Sequence, residues 1–355
     1  MQEHPHPTPQ DIRQAAEALL ADSPDAPVCV RLLRDILGRP RSDTDLADAY
    51  CELDSSPWVQ LFRKKQDSAG NFPRLRPDLR HVGVFYVVHI SLQIGLLPDH
   101  PLLARTREFM ERVLAAGVSE SRGLLENGGC PFAAAMGDSL WELILASLLS
   151  RLNPQSDLVT PIVDRWSIIC RRGFEHHDFF MGVKEAYEEV YGVEYPIAHC
   201  QRARPLGSPD CHETTTLFAA NASHLDPEFM KCYLNWQWQQ RVDPLLPVVE
   251  TFSVGDRRSE ERMAGLTSWL YMLSPLPGWS HRMGNIASTL WRRRETDGYW
   301  DFGGVGGGFA MRLSSNWRGK RRKQDWSVWV LQLLHLSAVT LSQNAPRSLQ
   351  ERPGE

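Results

Sequence analysis

The chain alternates between two kinds of helix-forming segment, and no other feature restricts its fold as strongly. In the first kind, apolar residues recur three, four or seven positions apart with charged residues between them, as Leu103, Met110 and Leu114 do. Such spacing predicts a helix that buries one face and exposes the other. The predicted helices of this kind cover residues 57–66, 102–116, 158–172, 227–240 and 283–294.

The second kind of segment is apolar around nearly its whole circumference. A helix without a polar face has to be buried on nearly all sides. Segments in which apolar and polar residues alternate with a period of two are scarce, so strands are not expected. Residues 11–37 predict a further helical pair. The predicted buried helices cover residues 82–97, 139–152, 213–225, 263–273 and 326–336.

This alternation predicts an all-α fold in which buried helices form an inner layer and amphipathic helices an outer layer. The closed form of such a fold is an α/α toroid of five or six helical hairpins around an apolar central cavity. We expect one such domain over residues 10–343, between disordered polar tails at 1–9 and 344–355. An irregular all-α domain without rotational order is the alternative.

Composition restricts the class of protein further. The chain has 355 residues, of which 42% are hydrophobic, and its net charge of −4 argues against a nucleic-acid-binding protein. Its apolar runs are shorter than the ~18 residues of a membrane span, and its first twenty residues do not resemble a secretory signal. Seven irregularly spaced cysteines favour reduced thiols, so we expect a cytoplasmic protein. Contact with a membrane surface is compatible with the sequence but not indicated by it.

Two of the amphipathic segments end in the same kind of turn. One turn reads Gln66-Asp-Ser-Ala-Gly70-Asn-Phe72, and the other reads Asp297-Gly298-Tyr-Trp300. Each follows basic residues at a helix end and joins a glycine to a nearby aromatic residue. The pattern resembles the Q…G-x-W repeat of the terpenoid cyclase and protein prenyltransferase superfamily, with squalene-cyclase-like repeats. The resemblance extends over residues 57–337 as a rhythm of helices, and it implies a hydrophobic, isoprenoid-type substrate.

The start of a predicted buried helix carries the candidate catalytic residues. The segment Asp210-Cys211-His212-Glu213-Thr214-Thr215 resembles the D-x-D-D-T motif of class II terpene cyclases, whose middle carboxylic acid protonates an alkene or epoxide. The resemblance implies Asp210, His212 and Glu213 as the acid group. His212 stands where the acid should be, and because an imidazolium is a weaker acid, opening an epoxide is the easier reaction. A structural alternative makes Asp210 the helix N-cap, with Glu213 completing a capping box.

Aromatic residues on the predicted buried helices are candidates for substrate binding. Ser139-Leu-Trp141-Glu142 resembles the W-D-T-A-x-A start of inner helices in bacterial triterpene cyclases, with Glu142 in place of aspartate. Aromatic faces stabilise developing cations by cation–π attraction, although such residues also pack as ordinary core. The candidate substrate-binding residues of this kind are Phe85, Trp141, Glu142, Phe218, Trp269 and Trp326.

The same region is similar to protein prenyltransferase β subunits, which place an arginine ahead of an Asp-x-Cys pair of zinc ligands. Here Arg204 precedes Asp210 and His212, and Asp325 lies near the start of a later buried helix. The resemblance therefore implies, as an alternative to a reaction without a cofactor, zinc or magnesium bound by Asp210, Cys211, His212 and Asp325.

A run of basic residues precedes that later helix. Lys320, Arg321 and Arg322 lie where those proteins bind an isoprenoid diphosphate, and guanidinium groups near a helix N-terminus favour an anion. Solvated surface is the alternative. The leading hypothesis is thus a terpenoid-cyclase-like enzyme that uses acid-initiated cyclisation. Metal-assisted prenyl transfer or lysis is the second hypothesis, and a non-catalytic toroid that binds a lipid or a protein is the third.

Overall fold

The computed structural model describes residues 6–72, 83–126, 137–195, 209, 211–304, 312–314 and 316–344. Within these ranges the secondary structure is helical and contains no strand, which confirms the all-α prediction. Arg204 and Asp210 lie outside the described residues, as do most of the predicted tails. At the edges of those tails, Thr8 caps the first helix and Asn344 ends the last.

The described residues form sixteen α-helices. In chain order they are α1 (Pro9–Leu20), α2 (Ala26–Arg31), α3 (Thr44–Asp54), α4 (Pro57–Lys65), α5 (Gly83–Gln93), α6 (Pro101–Ala116), α7 (Val118–Glu126), α8 (Asp138–Leu152), α9 (Thr160–Glu175), α10 (Phe179–Tyr191), α11 (His212–Ala220), α12 (Pro227–Gln237), α13 (Pro247–Thr251), α14 (Arg257–Leu273), α15 (Trp279–Arg292) and α16 (Gly319–Asn344). The helices α2 and α12 continue into π-helical turns, Leu32–Ile36 and Trp238–Val242. None of the described helices has the length and apolar character needed to cross a membrane.

The chain divides into two compact units. One comprises Met1–Cys51 with Leu234–Glu355, and the other comprises Glu52–Tyr233. We refer to them as the split unit and the continuous unit. The single toroidal domain stays a prediction, and each unit is described by itself below.

In the continuous unit, α8 is the central buried helix. It packs against α5, α6 and α11, and within it only Asp138, Glu142 and Arg151 are partly exposed. The helices α4, α6 and α8 begin at residues 57, 101 and 138, against predicted starts of 57, 102 and 139. The sequence therefore located the buried helix and its amphipathic neighbours correctly.

In the split unit, α16 contains a continuous buried stretch, because every residue from 324 to 334 is buried. It packs against α1, α14 and α15. By contrast, α14 begins at Arg257 rather than near residue 263, and Trp269, Tyr271 and Met272 on it are partly exposed. This helix buries only one of its faces, so the prediction that it is buried on nearly all sides was wrong.

The two glycine turns, one in each unit, have the same hydrogen-bond pattern. In the first turn, Asp67 N donates to Asn71 O at 2.9 Å and Gly70 N to Asp67 O at 3.2 Å. In the second turn, Glu295 N donates to Tyr299 O at 2.7 Å and Gly298 N to Glu295 O at 2.9 Å. Both loops therefore close through the same backbone positions.

The two turns also agree in their glycines and aromatic residues. Gly70 and Gly298 have φ values of +93° and +87°, a backbone region that residues with a side chain rarely adopt. Two positions later, Phe72 and Trp300 are buried. The turn similarity seen in the sequence thus corresponds to a repeated structure, with one copy in the continuous unit and one in the split unit.

The residue that precedes each loop binds the turn glycine. Gln66 Nε2 lies 3.5 Å from Gly70 O, and Arg294 Nε donates to Gly298 O at 2.7 Å. Gln66 Nε2 also donates to Leu102 O and Thr106 Oγ1 on α6, at 2.9 and 3.0 Å. The first turn is therefore tied to the next amphipathic helix by one side chain.

Candidate functional site

The start of α11 is held in place by polar contacts within the continuous unit. Cys211 is the N-cap, and its sulfur accepts a hydrogen bond from Thr214 N at 3.4 Å. Tyr233 donates to Pro209 O at 2.6 Å, and its hydroxyl lies 2.9 Å from Thr215 Oγ1. The capping box expected from residues 210 and 213 is wrong, because the helix begins one residue later and a thiol takes the capping position.

His212, the first residue of α11, contacts two residues of α5. Its ring centroid lies 5.8 Å from that of Phe85 and 5.3 Å from that of His89, both in edge-on orientations. Phe85 and His89 stack in parallel at 6.1 Å. All three side chains are partly exposed.

Arg151, near the end of α8, completes this group. Its Nη1 atom lies 3.3 Å from His89 Nδ1. A guanidinium can only donate, so in this contact His89 Nδ1 is the acceptor and Nε2 carries the ring hydrogen. His212 Nδ1 is 3.4 Å from Thr216 Oγ1. We call Phe85, His89, Arg151 and His212 the histidine cluster.

The predicted acid residue Glu213 and its neighbour Cys211 lie beside the cluster. Glu213 is buried, with 7% of its surface exposed. Desolvation, followed by the Glu213 charge, raises the pKa of Cys211 to about 12. The thiol is therefore protonated at neutral pH, which disfavours it as a nucleophile or as a thiolate ligand.

The predicted substrate-binding residues of the continuous unit have different surroundings. Trp141 is fully buried. Phe218 is fully buried too and packs edge-on against Phe229 and Tyr233 at 5.5 and 4.9 Å, as a core residue does. Glu142 forms an ion pair of 2.9 Å with Arg165. Phe85, by contrast, packs directly against a predicted catalytic residue through its ring contact in the histidine cluster.

In the split unit, the two aromatic residues predicted to bind substrate make contacts with other residues of the protein. The indole nitrogen of Trp326 donates to Gly303 O at 3.0 Å. Trp269 lies under the guanidinium of Arg241, 4.9 Å from its carbon.

Asp325 is fully buried at the start of the same apolar stretch as Trp326. Its carboxylate accepts hydrogen bonds from Leu313 N, Ser314 N and Ser314 Oγ at 2.8, 2.9 and 2.6 Å. Burial nevertheless raises the pKa of Asp325 to about 7. The carboxyl group holds a neighbouring loop segment in place, and these three contacts occupy its oxygen atoms.

The basic residues at the start of α16 are paired with carboxylates. Lys320 and Arg321 pair with Asp22 and Asp25 at 2.5 Å each. Arg322 binds Asp301 through two hydrogen bonds of 3.0 and 2.6 Å. Anion binding by these residues stays a prediction, and their charges are already balanced within the split unit.

Among the described residues, no group of three His, Cys, Asp or Glu side chains is arranged to hold a metal ion. The metal set that includes Asp210 therefore stays a prediction, since that residue is outside the described ranges. The sequence interpretation did not include His89 and Arg151. Only the four-residue spacing from Phe85 to His89, which places both on one helix face, could have indicated the first of them.

Comparisons of the chain with models of protein families, with curated proteins and with solved structures give no match.

Proposed function

We propose that the chain is an enzyme that acts on an isoprenoid-type hydrophobic substrate by proton transfer at the histidine cluster. The observation that supports this proposal is the contact between the rings of His212 and His89, whose centroids lie 5.3 Å apart, at the apolar helix α5. Imidazoles exchange protons near neutral pH, and few other side chains do. An apolar wall with a small number of convergent polar groups is typical of a binding site for a hydrophobic ligand.

The surroundings of the two imidazoles favour different roles for them. His89 accepts from the guanidinium of Arg151 through Nδ1, its one acceptor nitrogen, so it is assigned a positioning role beside His212 rather than that of a base. His212, at the position of the family acid, is then the proton donor.

The proposed reaction is the acid-initiated cyclisation of an epoxide. The His212 imidazolium donates its proton to an epoxide oxygen, and the C–O bond breaks as alkene electrons form a new ring bond. The His212 imidazole, which the first step leaves neutral, then takes a proton from the final carbocation, so the product is an isomer of the substrate and the imidazolium is restored. Phe85, 5.8 Å from His212, offers an aromatic face to the cationic intermediate.

The test uses the full-length protein with a panel of 2,3-epoxysqualene, squalene, farnesyl diphosphate and geranylgeranyl diphosphate, with products identified by mass spectrometry. We expect a cyclised isomer from the epoxide and a loss of about 100-fold or more in H212Q and H89Q. His177 is exposed on the turn before α10, so H177Q is the matched control. Unchanged turnover in H212Q, with folding verified by circular dichroism, would contradict the proposal.

A non-catalytic role in binding a lipid or a protein is the second candidate. One observation favours it, namely the pairing of Lys320, Arg321 and Arg322 with aspartates, because compensated charges offer little to a substrate diphosphate. Native mass spectrometry separates the two candidates. A ligand that co-purifies unchanged, together with no product from any member of the panel, would favour binding.

The proposal includes the α/α toroid of five or six hairpins and a cytoplasmic location. The repeated glycine turn supports the toroid, because a closed ring of hairpins needs the same loop more than once. Five of the described cysteines, Cys29, Cys51, Cys170, Cys211 and Cys232, are free thiols, which is consistent with a reducing compartment. Small-angle X-ray scattering and labelling in intact cells test these two statements.

A further inference from the structure

The second glycine turn borders a small cleft in the split unit, away from the histidine cluster along the chain. The cleft has a volume of about 60 Å³, which is room for roughly four to six water-sized groups. One wall is the turn itself, with Arg294, Asp297 and Trp300. The opposite wall is formed by Ala15, Ala18 and Leu19 of α1, and by Ser327 and Leu331 of α16.

Arg294 is held rigidly at the edge of this cleft. Its guanidinium carbon lies 5.5 Å from the ring centroids of both Trp291 and Trp300. Its Nε donates to Gly298 O, which fixes the direction of the planar group. Because the side chain is ordered before any ligand arrives, binding does not carry the entropy cost of ordering it.

The outer nitrogens of Arg294 lack the partners that the corresponding residue has in the first turn. Gln66 uses its side-chain amide to bind Leu102 O and Thr106 Oγ1 on α6. At the second turn, the cleft wall from α1 consists of aliphatic side chains instead. Within the described part of the chain, no acceptor lies within hydrogen-bonding distance of Arg294 Nη1 or Nη2.

The charges around the cleft select the kind of ligand. Asp297 and Glu295 both pair with Lys323, at 2.7 and 2.6 Å, so these three groups together contribute one negative charge. With Arg294 added, the local charges balance. A monoanion is attracted by the guanidinium, whereas a dianion brings a second charge close to Asp297. A planar carboxylate matches the two outer nitrogens of a guanidinium.

We propose that the cleft beside Arg294 binds a monocarboxylate with a short aliphatic tail. The two carboxylate oxygens accept hydrogen bonds from Arg294 Nη1 and Nη2, and the tail lies against Leu19 and Leu331. The cleft accommodates a chain of about four carbons. The site is independent of the proposed enzymatic reaction, because it involves none of the residues of the histidine cluster.

The experiment is a titration of the full-length protein with butyrate, followed by saturation-transfer NMR on the ligand. A ligand of this size is expected to bind with a dissociation constant on the order of 1 mM. We expect 1-butanol, which has a similar tail but no charge, to bind at least about tenfold more weakly. Equal binding of the alcohol would overturn the proposal.

Three variants locate the site. R294Q keeps a polar donor but loses the positive charge and the paired donors of the guanidinium. It should weaken butyrate binding at least about tenfold. A18E places a carboxylate on exposed α1 opposite Arg294, so it should abolish binding without altering the arginine. R292Q changes an exposed arginine at the end of α15, two residues before Arg294, and should bind as the parent protein does. Parent-like binding by A18E, with an unchanged melting temperature, would show that butyrate binds elsewhere and overturn the assignment.

Discussion

Gln66 donates a hydrogen bond to the carbonyl oxygen of Leu102 at 2.9 Å and thereby ties the end of α4 to the first turn of α6. The same amide group also binds Thr106. Q66A should therefore destabilise the protein by about 1–3 kcal/mol, because it removes both hydrogen bonds between this amide and α6, while Leu102 O keeps only that of Thr106 Oγ1. Urea unfolding measures the change. Gln14 is exposed on α1, and Q14A should change the free energy of unfolding by less than about 0.5 kcal/mol.

The two turn glycines give a second prediction. Both have positive φ, so alanine at either position is strained by about 1–3 kcal/mol. A Cβ at Gly70 would also lie 2.3 Å from the backbone oxygen of Arg105, whereas one at Gly298 would meet only a side-chain nitrogen of Arg294, at 3.3 Å. G70A should thus be clearly more destabilising than G298A. Equal melting temperatures for the two variants would contradict the close approach at Gly70.

Asp325 predicts a pH dependence of stability. Its pKa is raised in the folded protein to about 7, so the folded state holds a proton that the unfolded state has released. The contribution of this group therefore falls as pH rises from about 4 to about 7, by at most about 4 kcal/mol.

The variant D325N lacks this titration. Its free energy of unfolding relative to the parent protein should rise between pH 4.5 and pH 7.5, as measured by urea unfolding at both values. A difference that does not change with pH would show that the carboxyl group is ionised throughout this range.

The cysteines should react with alkylating reagents at very different rates. Cys51 and Cys232 are exposed. Burial raises the pKa of Cys170 well above its usual value and that of Cys211 to about 12, so few thiolates form at these positions. Iodoacetamide at pH 8, followed by peptide mass spectrometry, should label Cys51 and Cys232 first. Labelling of Cys170 and Cys211 should require urea.

The sequence predicted the buried and amphipathic helices well, because the spacing of apolar residues decides which face a helix buries. It also indicated the two similar turns. It missed α10, although Val183, Ala186 and Tyr187 follow helical spacing there. The apolar periodicity of this short helix is confined to one face.

The candidate site was harder to predict than the fold. His89 and Arg151 meet only because α5 and α8 pack side by side, and nothing in either segment specifies that contact. The N-cap of α11 was assigned one residue too early, because aspartate is a far commoner cap than the cysteine that follows it. Which residues are buried could be deduced from local patterns, but the partners of individual polar groups could not.

In the first of the two turns, a single side chain both closes the loop and binds a second helix. In the second turn these two roles are separate. Gln66 both closes its own loop and fastens a second helix, so any replacement there damages the scaffold. Arg294 closes its loop through Nε and packs against Trp291 and Trp300, but within the described residues its outer nitrogens join no second helix. When the same turn occurs twice in this way, one of the two positions can change in sequence while the other continues to hold the architecture together.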